Sequence, residues 1–400
     1  MSVPQQRLNS TLVVVMASAI GIIVANLYYL QPLLHQVRSG FHVSTASTSL
    51  LITLIQTGYV IGLFFILPLG DLFVRRNLIV TIFLVAAAAM AGASFVHSFA
   101  FFAVLTVVIG LSSVAGQIII PFGADLAPDA QRGRVVGKLM TGLLGGVLMS
   151  RTLSGAISEA IGWRGVYLVS AGLLVATALV LFLVLPQERS RDRYEYRHLI
   201  TGGINMMRRS RELRRRGWFG GTAFGAFSVL WSTLAFHLSS SPFHYSSGVI
   251  GLFGLFGMAG ILSANVTGRL ADEGRTALAT RSAAFLIATG FVVLYLGRTN
   301  VWAIVAGTII LDAGAQGIHV SNQSIIYALA PNQRSTINSI YMVCFFTGAS
   351  LGSLFSGYAY AHYGWNGTCV VGGAFGLATI IPALLWRPSQ HAEPLHDRLV

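Results

Sequence analysis

Long apolar stretches separated by short polar segments make up most of this chain. About 20 mainly apolar residues are needed to cross a hydrocarbon core roughly 30 Å thick, and twelve such stretches are present. They run Thr11–Leu34, Thr48–Leu69, Asn77–Val96, Phe99–Phe122, Val135–Ile161 and Val166–Leu185, and then Trp218–Leu238, Gly248–Val266, Thr276–Leu296, Val301–Gln323, Thr336–Tyr360 and Thr368–Trp386. The pattern predicts an all-α integral membrane protein with twelve transmembrane helices.

The two sets of six stretches repeat one another. The segment LAPDAQRGR after the fourth stretch returns as LAPNQRST after the tenth, and a constant offset of 202 then pairs Gly162 with Gly364. Repeats of this length are typical of secondary transporters. We therefore expect two pseudo-symmetric six-helix bundles, called here the first half (residues 1–186) and the second half (residues 217–400), with the basic segment 187–216 as a cytoplasmic linker.

A run of small residues in the fifth stretch, GGVLMSRTLSG at Gly145–Gly155, recurs in the eleventh. Small residues at this spacing let membrane helices approach closely. The shared template pairs Gly146, Ser150, Ser154 and Gly155 with Gly348, Gly352, Ser356 and Gly357. Where the first half has Arg151 the second half has Ser353. The arginine is therefore an addition that packing alone does not require.

A charged turn follows the second span of each half. GDLFVRR (Gly70–Arg76) and GRLADEGR (Gly268–Arg275) each combine a glycine that allows close helix approach with an acid beside arginines. Such a turn can hold two helix ends together in one conformation and release them in another. We expect a cytoplasmic gate formed by Gly70, Asp71, Arg75, Arg76, Gly268, Asp272 and Arg275.

The distribution of charge predicts an orientation. The net charge is +13, and with the N-terminus in the cytoplasm all but four of the 26 Lys and Arg residues fall on that side. The exceptions are Arg38, Arg164 and Arg298 outside and Arg151 within a span. This positive-inside pattern places both termini in the cytoplasm. No basic face accompanies a soluble module, so we expect no nucleic-acid partner.

The composition agrees with a chain embedded in a lipid bilayer. It is 54% hydrophobic and 10% charged, and Cys344 and Cys369 both fall in predicted spans. The sequence shows no catalytic module, phosphate-cradling loop or metal-spaced cluster, which argues against an ATP-driven pump. We expect a monomeric protein that is not an enzyme and that uses no cofactor and no metal.

The twelve spans in a six-plus-six repeat, the basic linker and the paired turns together resemble the major facilitator superfamily. ANLYYLQPLL, LPLGDLFVRRN and GRVVGKLMTGLLGGVLMSRTLSG are similar to segments of bacterial efflux permeases of the arabinose-efflux and drug-efflux kind. The resemblance implies two bundles that rock about a central site in the bacterial inner membrane, driven by a proton gradient. Val74 stands where the first turn of the family usually has an acid, and Ser150 and Arg151 replace a Gly-Pro pair.

Two ionisable residues are predicted to lie deep in the membrane. A charge at a helix centre costs at least about 2.5–3.5 kcal/mol, so each one needs a partner or a wet cavity. With a rise of about 1.5 Å per residue, Arg151 lies about 18 Å from Trp163 at the outer side, and Asp312 lies about 18 Å from Asn300. Their similar depths allow an ion pair if the two helices face each other.

The tenth stretch carries a polar stripe. Asp312, Gln316, His319 and Gln323 recur at helical spacing on one face, which should meet water or protein rather than lipid. Our leading hypothesis is that Asp312 is the proton-coupling carboxylate and that Arg151 pairs with it or holds an anionic part of the substrate. The alternative is a static pair that fixes helix packing. His319 titrates in a useful range, but a structural hydrogen-bonding role is favoured.

Other polar and aromatic residues are candidates for a substrate cavity, although aromatic residues at such depths also serve as interface anchors. These candidates are Asn26, Tyr29, Gln56, Gln117 and Trp231. The expected function is proton-coupled export of small organic solutes by alternating access. Proton-coupled uptake of a sugar or organic acid is the alternative, and a passive channel or membrane sensor is a third possibility.

Overall fold

The computed structural model describes residues 10–128, 131–187, 196–257, 270, 273, 275–329 and 334–385. Helices fill nearly all of these ranges, and nine of them are long and apolar enough to cross a membrane. Two of the nine, Arg132–Val184 and Thr336–Leu385, have 53 and 50 residues and so have room for two spans each. The predicted all-α membrane architecture is confirmed over the described residues.

The helices follow the order of the predicted spans. The first half contains Ser10–Ala25 and Leu30–Phe41 (first span), Thr45–Ile61 with the turns Gly62–Ile66 and Leu67–Asp71 (second), Arg75–Phe95 (third), Phe99–Ser112 and Ala115–Leu126 (fourth), and Arg132–Val184 (fifth and sixth). The remainder contains the linker helix Tyr196–Arg209, then Arg211–Trp231 and Leu234–Ser239 (seventh), Ser247–Phe256 (start of the eighth), Thr276–Leu296 (ninth), Val301–Leu329 (tenth), and Arg334–Leu385 (eleventh and twelfth).

A glycine breaks each of the two longest helices at an equivalent position. Gly162 has φ 76° and ψ 166°, and Gly364 has φ 59° and ψ −148°. Side chains with a Cβ rarely adopt a positive φ, whereas glycine does so freely. The chain therefore turns from the fifth span into the sixth, and from the eleventh into the twelfth, at the glycines that the repeat pairs.

The first and seventh spans are also interrupted, the first about midway along its length and the seventh near its C-terminal end. The first span has a turn between Ala25 and Leu30, and the seventh has one between Trp231 and Leu234. In the seventh span the hydroxyl of Ser232 donates to the Ser228 carbonyl oxygen at 2.6 Å. Hydroxyl bonds of this kind compete with the helical ladder and bend helices. The interruptions bring polar and aromatic side chains to the middle of the protein.

The two halves meet along two helix pairs, the fifth against the eighth and the second against the eleventh. Gly155 packs directly on the backbone of Ser247, and Gly357 packs directly on Ser49. Gly155 and Gly357 are paired by the repeat, and Ser49 and Ser247 are paired when Gly70 is aligned with Gly268. The interface between the halves therefore has the same two-fold relation as the sequence.

The linker helix Tyr196–Arg209 crosses the predicted cytoplasmic side and contacts both halves. The hydroxyl of Tyr196 donates to the carbonyl oxygen of Phe65 in the second span at 2.9 Å, and Gly203 lies against Ile340 of the eleventh span. The seventh-span helix begins at Arg211, so the last part of the basic segment is an extension of that span. This arrangement ties the linker to the helices on which the halves meet.

Candidate functional site

Arg151 lies at the interface between the halves with only 2% of its surface exposed. Its Nε donates to Oε1 of Gln31 at 2.6 Å. Its guanidinium carbon lies 4.0 Å from the ring centroid of Trp231 and 4.9 Å from that of Tyr28, and these ring faces attract the cation. Nη2 is buried and has no hydrogen-bond partner among the described residues. The site thus holds a charged donor whose hydrogen-bonding capacity is incompletely used.

Trp231 links Arg151 to Asp312. Its indole Nε1 donates to Oδ1 of Asp312 at 3.3 Å, while the same side chain stacks on the guanidinium. Asp312 is buried on the tenth span, and its Oδ2 lies next to Gly257 of the eighth span. Within the described part of the chain, no ion pair shorter than 4.0 Å joins Arg151 to Asp312. The indole of Trp231 therefore contacts both groups.

Glycines of the eighth span make room for Arg151. A Cβ added at Gly251 would lie 2.5 Å from the carbonyl oxygen of Arg151, and one added at Gly254 would lie 2.9 Å from its Cβ. Thr152 also donates to the Gly251 carbonyl oxygen at 3.1 Å. The glycine repeat in this span thus lets the fifth and eighth helices approach closely at the level of Arg151.

At the equivalent place on the other side of the pseudo-two-fold axis, the long and the small side chain have changed helices. Ser353 replaces Arg151, and Gln56 replaces Gly254 when the second span is aligned with the eighth. Gln56 Nε2 donates to Ser228 at 2.9 Å, and the hydroxyl of Ser353 donates to Gln56 Oε1 at 3.2 Å. Here the long polar group belongs to the second span and is satisfied by serines. The incompletely bonded guanidinium therefore exists on one side of the axis only.

The other proposed cavity residues lie outside the Arg151 contacts. Asn26 accepts a hydrogen bond from Ser170 at 2.9 Å, and Gln117 donates to the hydroxyl of Tyr59 at 3.3 Å. Tyr29 lines a groove beside the first and fifth spans. The neighbouring Tyr28, which shares the sequence signal of Tyr29, is the one that faces Arg151. The sequence could not decide between adjacent tyrosines because a turn interrupts the helix there.

The inner part of the polar stripe joins a separate cluster. His319 Nδ1 lies 3.1 Å from the hydroxyl of Tyr341, to which Asn322 donates at 3.4 Å, whereas Gln316 is half-buried one turn above.

Arg216 has 0% of its surface exposed and donates from Nε to Glu212 at 2.7 Å. The sequence places Arg216 in the basic cytoplasmic linker, because the residues next to it are also arginines. Only the fold shows that it is buried.

The first charged turn connects the second and third spans and contacts the fourth and the sixth. Arg75 bonds to Asp71 at 3.2 Å, to Asp125 of the fourth span at 2.6 Å, and to the Gly70 carbonyl oxygen at 3.1 Å. Arg76 stacks on Phe182 of the sixth span, with 4.7 Å between its guanidinium carbon and the ring centroid. Asp125 was not among the proposed gate residues, although it lay near a predicted helix end. Arg75 is thus bonded to two carboxylates that are each about half exposed.

The second charged turn lies partly within the described residues. Gly268 and Asp272, both proposed for the gate, lie outside the described residues. Arg275 lies 3.8 Å from Glu273, and both side chains are more than half exposed. A screened surface pair of this kind contributes little stability.

On the predicted outer side, polar contacts close the gap between the halves. Gln36 donates to Ser158 at 3.2 Å and to Ser247 at 3.0 Å. Glu159 accepts from the backbone nitrogen of Gly248 at 3.0 Å, which satisfies a free donor in the first turn of the eighth span. These contacts hold the fifth and eighth spans together next to the buried arginine.

Comparisons with known proteins agree with this architecture. The sequence profile of the Major Facilitator Superfamily matches residues 14–310 and 283–398. The uncharacterized transporter YgaY of Escherichia coli O157:H7 is 39% identical over 98% of this chain and 99% of its own. The probable transporter SCO4007 of Streptomyces coelicolor is 32% identical over 89% of this chain and 83% of its own.

The fold is also found among crystal structures. A bacterial homologue of the human lysosomal transporter Spinster, in an inward-facing and occupied conformation, superposes with a TM-score of 0.75 at 12% identity, covering 97% of this chain and 100% of the other. At that identity the likeness concerns the fold alone. Together with the profile match and the curated relatives, it shows that this chain is a multi-pass membrane transporter of the Major Facilitator Superfamily.

Proposed function

We propose that the chain is a proton-coupled secondary transporter of small organic solutes, which works by alternating access between its two halves. The observation that carries the proposal is the chain of contacts from Arg151 in the first half, through Trp231, to the buried carboxyl of Asp312 in the second half. A buried carboxyl that can gain and lose a proton is the device that such coupling needs.

The contacts suggest how protonation and movement are linked. Ionised Asp312 attracts the guanidinium of Arg151 and accepts the indole N–H, so it favours the arrangement in which the halves meet around Trp231. Protonation removes the negative charge and weakens both interactions. The balance between this arrangement and one in which the halves separate at Arg151 then depends on the proton.

Export is the first candidate direction, following the resemblance to efflux permeases. Uptake of an organic acid is the second, and it is favoured by the unpartnered Nη2 of Arg151, since a buried guanidinium suits a carboxylate. The same proposal includes the cytoplasmic location of both termini, which rests on the positive-inside pattern. It also includes residence in the bacterial inner membrane, which rests on the resemblance to bacterial permeases, and the division into two bundles.

The proposal is tested with purified protein in liposomes across which a pH gradient is imposed. The vesicles are incubated with a mixture of cell metabolites, and accumulated solutes are identified by mass spectrometry. We expect at least one solute to accumulate in a gradient-dependent way with the wild type and not with Asp312→Asn. Accumulation that survives both collapse of the gradient and Asp312→Asn would contradict proton coupling through Asp312.

A further inference from the structure

The arrangement around Arg151 limits what could complete its hydrogen bonding. Trp231 covers one face of the guanidinium, and Gln31 occupies Nε. A ligand therefore has to approach in the plane of the guanidinium, where its edge offers parallel N–H donors. Carboxylates fit that edge with two parallel hydrogen bonds, and Nη2 is the buried donor that has no partner within the described residues.

A small cavity lies beside the Arg151 side chain. It measures only about 10 Å³, enough for one water molecule, and it is lined by Gln31, Pro32, Arg151, Trp231, Leu234, Ala235 and Ile250. Apart from the arginine, the amide and the indole N–H, these walls are apolar. A ligand with a carboxylate at one end and a compact apolar body matches the charge and the lining of this cavity, and it enters when the halves separate at Arg151 and widen the cavity.

The second half has no equivalent of this site. At the position related by the repeat, Ser353, Gln56 and Ser228 satisfy one another. A purely structural polar contact could have been built in the same way on both sides. The unsatisfied arginine thus marks one side of the interface as the place where a further group binds.

Asp312 determines how that group and a proton affect each other. Among the described residues, the charged or titratable groups that interact with Arg151 are Tyr28 and Asp312, and Arg151 is the one that interacts with Asp312. An anion on Arg151 is repelled by an ionised Asp312 and is not repelled by the neutral carboxyl. Anion binding and protonation of Asp312 therefore favour each other, as reciprocal linkage requires.

We infer that Arg151 is the carboxylate-binding residue of a substrate site for small apolar monocarboxylates, and that this site fills together with a proton on Asp312. The inference rests on the proposed proton-coupled transport and specifies its substrate class. Because proton and anion are bound together, an inward proton gradient drives uptake rather than exchange. The inference thus selects the organic-acid uptake function over export.

The test uses benzoate and benzamide, which have nearly the same shape and differ in charge. Binding to the full-length protein in detergent is measured by thermal stabilisation at pH 6 and pH 8, where benzoate is ionised throughout. We expect benzoate to stabilise the wild type with about tenfold higher affinity at pH 6 and benzamide to have no effect. Arg151→Ser should abolish the response, and Asp312→Asn should retain it without pH dependence.

A second variant protects the test against misfolding. Arg151→Lys keeps the charge but lacks the planar fork, so it should fold and bind benzoate at least about tenfold more weakly. Equal stabilisation by benzamide, no stabilisation by benzoate, retained binding in Arg151→Ser, or tighter binding at pH 8 would each overturn the inference. Gradient-driven accumulation of a cationic or neutral solute would leave the proposed transport function standing while removing the carboxylate site.

Discussion

Arg151 faces Gly254 across the interface between the halves, and a Cβ added to this glycine would lie 2.9 Å from the Cβ of Arg151. On the other side of the pseudo-two-fold axis the corresponding residues are Ser353 and Gln56, which are hydrogen-bonded. Each pair contains one long polar residue and one small residue. In the first pair the long residue, Arg151, is on the fifth span, whereas in the second pair the long residue, Gln56, is on the second span, which corresponds to the eighth. The sum of the side-chain volumes is preserved while the chemistry changes.

This exchange predicts the behaviour of a double substitution. Gly254→Gln alone should destabilise the protein by about 1–3 kcal/mol, because the new side chain collides with Arg151. Adding Arg151→Ser should recover most of that loss, since the pair then copies Ser353 and Gln56. The measurement is thermal unfolding in detergent, together with transport.

The double variant should be stable and should not transport, because it lacks the guanidinium. Matching losses in the double variant and in Gly254→Gln would show that the two positions are not coupled. Retained transport would show that Arg151 serves packing only.

Trp231 offers a substitution that separates its two contacts. Trp231→Phe keeps a ring face beside Arg151 but removes the N–H that Asp312 accepts, at a cost of about 1 kcal/mol in stability. We expect transport to continue with altered coupling, because the carboxyl loses its fixed link to the first half. The number of protons moved per solute, measured with a pH-sensitive dye inside liposomes, checks this. An unchanged ratio would mean that the indole N–H has no part in coupling.

The ion pair between buried Arg216 and partly buried Glu212 can be compared with the apolar residues of the other half. Gly21 and Gly221 pack on the paired glycines Gly146 and Gly348, and aligning them places Arg216 on Met16 and Glu212 on Leu12. Arg216→Met alone should cost about 1–3 kcal/mol, because it removes the hydrogen bond to Glu212 at 2.7 Å and leaves this partly buried carboxylate with Arg215 at 3.7 Å.

The double variant Arg216→Met, Glu212→Leu should regain most of the stability, because apolar residues often replace a buried ion pair without loss. Thermal unfolding of the two variants measures this. A double variant as unstable as the single one would show that Arg216 is required by its other hydrogen bonds, to Thr280 and Asn322 at 3.3 Å each.

The glycines that divide the longest helices give a further prediction. Gly162→Ala should destabilise by about 1–2 kcal/mol, because alanine is strained at φ 76° even though space is available for its methyl group. Gly137→Ala is the control, since Gly137 lies in a regular helix with no atom close to an added Cβ and alanine favours helix. Unfolding temperatures that fall equally in both variants would contradict the conformational explanation.

Much of the fold follows from the sequence, because each span needs a fixed length of apolar residues and because the repeat supplies a second copy of every feature. The pairing of Gly162 with Gly364 predicted two equivalent positions, and both have a positive φ. Individual contacts between helices could not be predicted from the sequence. Depth along a helix placed Arg151 and Asp312 at similar levels, but depth does not reveal that the indole of Trp231 contacts both.

The same limit explains the residues that sequence reasoning did not find. Gly254 acquires its importance only from the close approach of the fifth helix. Arg216 has basic neighbours in sequence and apolar neighbours in space, since the seventh-span helix carries it into the protein. Local sequence defines which face of a helix is polar, whereas the packing of helices determines what that face meets.

The most direct test of the account is the change in proton binding when benzoate is added to purified protein in weakly buffered solution near neutral pH. Because the anion and the proton on Asp312 favour each other, the protein should take up protons, by up to about one per chain. Benzamide with the wild type and benzoate with Asp312→Asn should cause no uptake. Proton release on adding benzoate, or equal uptake by Asp312→Asn, would contradict the account.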